Sequence, residues 1–208
     1  MEKVKYKDYL ITIKDDDAES PNAWMDENRI LVYDHRQFTV DRKGFEPMEI
    51  FQAMMEPALY KGYHVFPLYA YIHSGVSLSL TYNGDRWDTS MKGFILIKDG
   101  EEGVTSREEA LKPAEDLVEL WNSYLEGSYW FNIKNPEGDE IDSCGGFYGY
   151  DHEKSGLMDT CRDAIDNDIN TVLHNKEQDW QQQKQQLNDS KQEFMEYFEH
   201  YVDEHTKL

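Results

Sequence analysis

The sequence predicts an α+β fold: a central, largely antiparallel sheet with packed helices, followed by an extended acidic helical arm at the C-terminus. Three observations predict it. Short β-branched and aromatic runs bounded by turn residues recur through the first 150 residues. Apolar residues then repeat at helical spacing from Leu157. After Lys176 the chain becomes polar and Gln-rich without losing that spacing. The organisation expected is an α+β core domain over 1–154 and an acidic, Gln-rich helical region, helix or helical hairpin, over 155–208.

Taken in order, Val4 to Lys14 reads as a strand, and 15–22, from Asp15 to Asn22, is a polar loop. Ile30, Leu31 and Val32 mark a second strand from Arg29 to Tyr33, with a short one at Gln37 to Val40. Pro47 opens a helix to about Leu59, since proline at the first helical position lacks only an N–H that would have no partner there. The strongest β signal is a hairpin, Val65–Ile72 and Val76–Leu80. Alternation puts Leu68, Ala70 and Ile72 on one face and Tyr69, Tyr71 and His73 on the other. Gly93 to Lys98 adds a strand. Ser106 and Glu109 form a capping box for a helix towards Leu125, with Pro113 expected to shorten or kink it. Ser128–Ile133 and the return through Ile141 read as a hairpin around Asn135–Asp139. The glycines of Cys144-Gly145-Gly146-Phe147-Tyr148-Gly149 predict a bulge or a close backbone approach.

From Leu157 to Leu173 the pattern is an amphipathic helix. Trp180, Leu187, Phe194 and Tyr201 continue at intervals of seven, but Lys184 and Lys191 between them are polar, so the coiled-coil signal is partial. A second capping box, Ser190 with Glu193, predicts a break near Asn188-Asp189 and hence a helical hairpin or bent arm.

Charge narrows the function classes. Residues 1–100 hold 12 Lys/Arg and 16 Asp/Glu, and residues 101–208 hold 9 and 26, so the halves carry −4 and −17 of a net −21. Such a field repels phosphate backbones and anionic bilayers and attracts basic partners, which disfavours direct nucleic-acid or membrane binding. No stretch approaches the roughly 18 apolar residues of a membrane span, and Met1–Lys14 lacks a signal peptide's apolar run, so a cytosolic location is expected. Cys144 and Cys161 have no second cysteine or histidine at zinc spacing. They read as reduced thiols, with a disulfide as the lesser alternative, and no metal is expected.

Asp166 to Glu177 matches several ligand positions of a calcium loop, but Thr171 stands where the loop needs glycine, and helical spacing continues through Ile165, Ile169 and Val172. We therefore read it as helix. Asp159, Asp163 and Asp166, at i, i+4 and i+7, form a stripe that Asp168 extends. It is either a solvated face or a row of carboxylates imitating nucleic-acid phosphates for a basic partner. Catalytic candidates are His35, His73, Arg86 and Asp88: a histidine beside a carboxylate serves as general base, and an arginine stabilises a phosphate-like transition state. Nucleotide-binding glycine loops and a nucleophile elbow are absent, so no ATP or NAD cofactor is expected.

Tyr71-Ile72-His73-Ser74-Gly75-Val76-Ser77-Leu78, Arg86-Trp87-Asp88-Thr89 with Gly93-Phe94, and Cys144-Gly145-Gly146-Phe147-Tyr148-Gly149 resemble segments of proteins carried by phages, plasmids and integrative elements of Gram-positive bacteria. The resemblance covers about Arg29 to Ile165. It implies a counter-defence role, anti-CRISPR or anti-restriction, in a bacterial cytoplasm, and transfers no residue role. The leading expectation is an inhibitor whose stripe Asp159, Asp163, Asp166 and Asp168 contacts a basic nucleic-acid-binding protein, such as a Cas effector or restriction enzyme. The alternatives are a metal-dependent nuclease and an adaptor that homodimerises through its C-terminal helices.

Overall fold

The computed structural model describes residues 1–35, 38–40, 44–55, 59–73 and 75–205. The elements run β1 (Glu2–Tyr6), β2 (Tyr9–Asp15), α1 (Pro21–Trp24), β3 (Arg29–His35), β4 (Phe38–Val40), α2 (Pro47–Met54), β5 (Tyr63–Ile72), β6 (Val76–Ser79), β7 (Thr89–Lys98), α3 (Arg107–Glu126), β8 (Ser128–Lys134), β9 (Glu140–Tyr148) and α4 (Leu157–His205). The α+β class is as the sequence predicts, and every strand pair is antiparallel. The strands divide between a four-stranded sheet, β1-β2-β8-β9, and a five-stranded sheet, β4-β3-β7-β5-β6.

The stretch from Val4 to Lys14 is a hairpin and not one strand, because Lys7 takes a left-handed φ of 53° and folds β2 back on β1. In the larger sheet, alternation sorts the side chains between two cores. Leu31, Tyr33, Phe66, Leu68, Ala70, Leu78, Ile95 and Ile97 pack under α3, whose Ala110, Ala114, Leu117, Val118 and Trp121 face them. On the opposite face Ile30, Val32, Tyr63, Val65, Phe94 and Leu96 meet Ile50 of α2. Helix α2 ends at Met54, short of the expected Leu59; 56–58 lie outside the described residues. Ile50, Phe51, Met54 and Met55 share one side of this segment by helical spacing, yet Phe51 and Met55 are exposed. Helix α3 runs through Pro113 to Glu126, and the Ser106 hydroxyl accepts the Glu109 N–H as the capping box predicts.

Strand β6 is the edge of the larger sheet, and its outward backbone groups need partners. Asn122 of α3 supplies them: its amide donates to the Leu78 carbonyl at 2.9 Å and its carbonyl accepts the Leu78 N–H at 2.7 Å. One side chain thus stands in for a neighbouring strand. Replacing it by leucine leaves two part-buried backbone groups unpaired, and we expect a loss of about 1–3 kcal/mol in urea unfolding. Asn122→Asp keeps the acceptor but sets a carboxylate against the Leu78 carbonyl, so it should destabilise as well.

The smaller sheet is backed by the start of α4. Tyr9, Ile11, Ile13, Phe131 and Ile133 pack against Leu157, Met158, Cys161 and Ile165. Beyond Ile169 the sheet is passed, and residues 170–202 of the helix are exposed. Val172 and Leu173, apolar in the sequence pattern, are therefore 41% and 60% exposed. The expected break at Asn188-Asp189 does not occur: α4 is one helix of 49 residues, about 73 Å long. A capping box acts only when its serine leaves the helical region, and nothing packs here to favour that departure. Instead Gln185 donates to Asp189 at 2.7 Å and Gln192 to Glu196 at 3.1 Å, ties one turn apart that favour continuation. The span Asp166–Glu177 is likewise unbroken helix, so the geometry of a calcium loop is absent there.

Candidate functional site

Among the described residues, besides an isolated pair of His64 Nε2 with Asp99 Oδ1 at 2.9 Å, two places gather several side chains capable of chemistry. The first is the end of the larger sheet where β5 stops and β7 begins. The Ile72 N–H donates to the Asp88 carbonyl at 2.9 Å, which draws the 83–88 loop against the β5–β6 hairpin. The loop is held by its own carboxamide and carboxylate: Asn83 Oδ1 accepts the Asp85 N–H, and Asp85 Oδ1 accepts those of Trp87 and Asp88. The Asp88 and Trp87 N–H groups, with a smaller contribution from His73, hold the Asp85 carboxyl below its ordinary value. His73 Nδ1 and Asp88 Oδ2 are 2.9 Å apart, Tyr71 stacks beside the His73 ring, and Arg86 lies over Trp87.

Three of the four catalytic candidates, His73, Arg86 and Asp88, are therefore brought to one end of the sheet. His35, at the end of β3, belongs to the same end by register, since Tyr33 pairs with Gly93 and Tyr71 with Thr89; its side chain lies outside the described part of the chain. In the tautomer that donates from Nδ1 to Asp88, Nε2 would carry the lone pair, the arrangement of an oriented general base. The two groups bond each other and do not converge on a shared centre. Among the described residues no group of three or more His, Cys, Asp or Glu side chains is placed to hold a metal ion. The pair suits proton transfer and does not fit a metal site.

The second place is an open cleft of about 700 Å³ between edge strand β6, helix α3 and the segment joining β9 to α4. Glu115, Asp116, Glu119, Glu126 and Asp151 line it, with Lys154 bound to Glu119 at 2.5 Å. The Lys154 ammonium holds the Glu119 carboxyl below its ordinary value. Tyr148 closes one side and is anchored by Trp24 Nε1 at 3.1 Å and by its own donation to the Glu19 carbonyl at 2.7 Å. Sequence reading passed over these carboxylates. Glu108, Glu115, Glu119 and Glu126 fall at i, i+7, i+11 and i+18, one face of a helix, and that spacing was the available signal. What no spacing reveals is that the β9–α4 segment folds across that face to make a cleft.

The carboxylates of the predicted α4 stripe have different fates. Asp166 binds Lys7 at 2.7 Å and Asp168 accepts the Tyr9 hydroxyl at 2.6 Å, so both fasten the helix to the β1–β2 hairpin. The bond to Asp168, with burial behind it, pushes the Tyr9 phenol up to about 12. Asp159 pairs with Arg162 at 2.8 Å, and Asp163 is exposed. Both cysteines are free: Cys144 is exposed, whereas burial, the main cause, raises the Cys161 thiol to about 12.

One surface is rich in lysine, with Glu140 opposite Lys134. On the face of the smaller sheet away from α4, register aligns Lys3 with Thr12 and Asn132, Lys5 with Leu10 and Lys134, and Lys14 with Trp130. The Lys14 ammonium lies 4.9 Å from the Trp130 ring centroid.

Fold and site together define a two-sheet α+β body that carries an acidic cleft and a single projecting helix. Compared with known proteins, the chain matches no family model, no curated protein and no solved structure. Among the described residues no helix is long and apolar enough to cross a membrane.

Proposed function

We propose that this chain is a counter-defence inhibitor of a mobile genetic element, acting in a bacterial cytoplasm by binding a basic, nucleic-acid-binding effector such as a Cas protein or restriction enzyme. The observation that carries the reading is the cleft lined by five carboxylates, of which Glu119 pairs with Lys154 and Asp116 with Lys112, so that acid exceeds base along its walls. An arginine or lysine segment of an effector's nucleic-acid groove entering it meets fixed negative charge and the uncapped part of an edge strand. Asp159 and Asp163 lie a few residues beyond the cleft-lining Ser155 and extend the contact, while Asp166 and Asp168 serve to dock the helix. The −17 carried by residues 101–208 steers the encounter.

Adding the purified chain to DNA cleavage by a panel of Cas effectors and restriction enzymes tests this. One of them should be inhibited, with an association rate that falls about tenfold or more between low and high salt. Reversing Glu115, Asp116 and Glu119 to lysine should abolish that inhibition. Full inhibition by the reversed variant would end the reading.

The His73–Asp88 bond favours a second reading, a hydrolase of phosphodiesters in which Nε2 accepts the attacking proton and Arg86 faces the phosphate. Labelled RNA and DNA, incubated with wild type and His73→Ala with and without magnesium or manganese, decide it: no wild-type product removes it.

A further inference from the structure

We propose that a second copy of this chain covers the projecting half of α4, in an antiparallel two-helix coil centred on Leu187. The inference is independent of the acidic cleft and rests on the arm alone. The face of α4 that is buried against the smaller sheet at Ile165 and Ile169 does not end with the sheet. It continues as Leu173, Trp180, Leu187 and Phe194, which are 60%, 55%, 71% and 65% exposed, and reaches Tyr201 at the same interval. A seven-residue spacing drifts only about 20° per step around a straight helix, so these side chains form one continuous seam.

The seam is self-complementary. A two-fold interface requires that if one residue meets another, the second also meets the first. With the axis at Leu187, Trp180 of one copy comes to Phe194 of the other, Leu173 to Tyr201, and Leu187 to itself, so each large side chain of the seam faces another. The positions between them are polar, Gln183 and Ser190 on one side of the seam and Lys184 and Lys191 on the other, so the large side chains carry the contact and the lysine stems flank it.

Charge fixes the orientation. From 171 to 191 the arm carries Lys176, Lys184 and Lys191 against Glu177, Asp179 and Asp189, whereas from 192 to 204 it carries Glu193, Glu196, Glu199, Asp203 and Glu204 with no lysine or arginine. A parallel pair would lay the two acidic ends side by side. The antiparallel pair places each acidic end beside residues 170–182 of its partner, which hold Lys176 with Glu177 and Asp179, and spreads the acidic ends from about 18 Å apart at Glu193 to about 50 Å at Glu204, beyond the roughly 8 Å screening length. It also puts the two bodies at opposite ends, about 65 Å apart, so that the dimer presents two acidic clefts to one assembly and gains by avidity what a single cleft lacks. With one large side chain per two turns, the coil buries on the order of 1,200 Å², at the lower end of specific interfaces. A reversible dimer follows, and because the chains are both strongly negative, it tightens as salt rises, opposite to the response expected of the cleft.

Sedimentation of the full chain across concentration should show twice the 24.5 kDa of one chain at high concentration. Leu187→Glu, at a position 71% exposed, leaves the body folded by circular dichroism and should raise the dimer dissociation constant about 100-fold, because two carboxylates would face each other across the axis. Spin labels read the orientation in a Cys144→Ser background, where buried Cys161 stays unlabelled. A label at Asn188→Cys should lie within about 20 Å of its mate, and one at Glu199→Cys about 35–40 Å from its mate. A monomer at every concentration, a dimer indifferent to Leu187→Glu, or short distances at both labels would each overturn the proposal.

Discussion

Gly93→Ala is expected to destabilise the body by about 3 kcal/mol, read as a lower urea midpoint with an unchanged slope. Gly93 lies in β7 opposite Tyr33 of β3, and the Tyr33 ring, fully buried under α3, lies across the space where a Cβ would project. An added Cβ would stand 2.5 Å from the Val32 carbonyl oxygen and inside the contact distance of Tyr33 Cδ2. The ring is a side chain and can turn; the carbonyl cannot, because it belongs to the β3–β7 ladder. The register shift next to Leu68, which pairs with Gly93, leaves Lys92 outside the pairing and already bends the sheet at this point. The two strands must separate, and the cores above and below them share those strands. The double variant Tyr33→Ala/Gly93→Ala distinguishes the obstacles. If the ring alone obstructs, it is no less stable than Tyr33→Ala. We expect it to be less stable by most of the Gly93→Ala loss, since the carbonyl remains.

Strand segments, the capping box of α3 and the amphipathic start of α4 were legible in the sequence because each is set by neighbours in the chain. The glycines near Cys144 were legible in the same way: the β8–β9 register shifts there, Gly146 takes a φ of 85°, and Asp16 Oδ2 would sit 2.6 Å from a Cβ on Gly145. What decides the division into two sheets is not local. Strand β2 pairs with β8, more than a hundred residues away, and both have the alternation of any half-buried strand, so no pattern in either names its partner. The unbroken arm shows the converse: the local signal at Ser190 ends a helix only where a tertiary contact draws the serine out of it.

The candidate sites divide along the same line. His73 and Asp88 were named from sequence because turn residues place both at strand ends, and the structure joins them. The stripe from Asp159 to Asp168 was named from helical spacing alone. Spacing shows which carboxylates share a face but not which find a cation, and Lys7 reaches Asp166 only because the β1–β2 hairpin lies beside α4. The lysines of the outer sheet face were invisible for the related reason that Lys3, Lys5, Lys14 and Lys134 come from three strands. A net charge of −21 describes the total and conceals a lysine-rich face.

Phe131→Ala is expected to cost about 3–5 kcal/mol and to release α4 from the smaller sheet. Phe131 is fully buried between the two, with Phe147 5.7 Å away and Ile11, Ile13, Ile133, Leu157 and Cys161 in the same cluster. That cluster is separate from the cores around α2 and α3, so its loss has little else to compensate it. The other ties of α4 to the β1–β2 hairpin, Lys7 to Asp166 and Tyr9 to Asp168, are weaker: the first is an exposed ion pair screened by solvent, and a hydrogen bond to a charged group contributes about 1.5–3 kcal/mol. Opening should therefore be local, with the helix leaving the sheet before the five-stranded sheet unfolds. Cys161 reports it. In the wild type its thiol is fully buried and held at about 12, so alkylating reagent should modify only exposed Cys144. In Phe131→Ala, Cys161 should react under native conditions at least about tenfold faster, with most of the helical circular dichroism retained. A variant in which Cys161 reacts only together with global unfolding would instead show that the two sheets form a single cooperative unit.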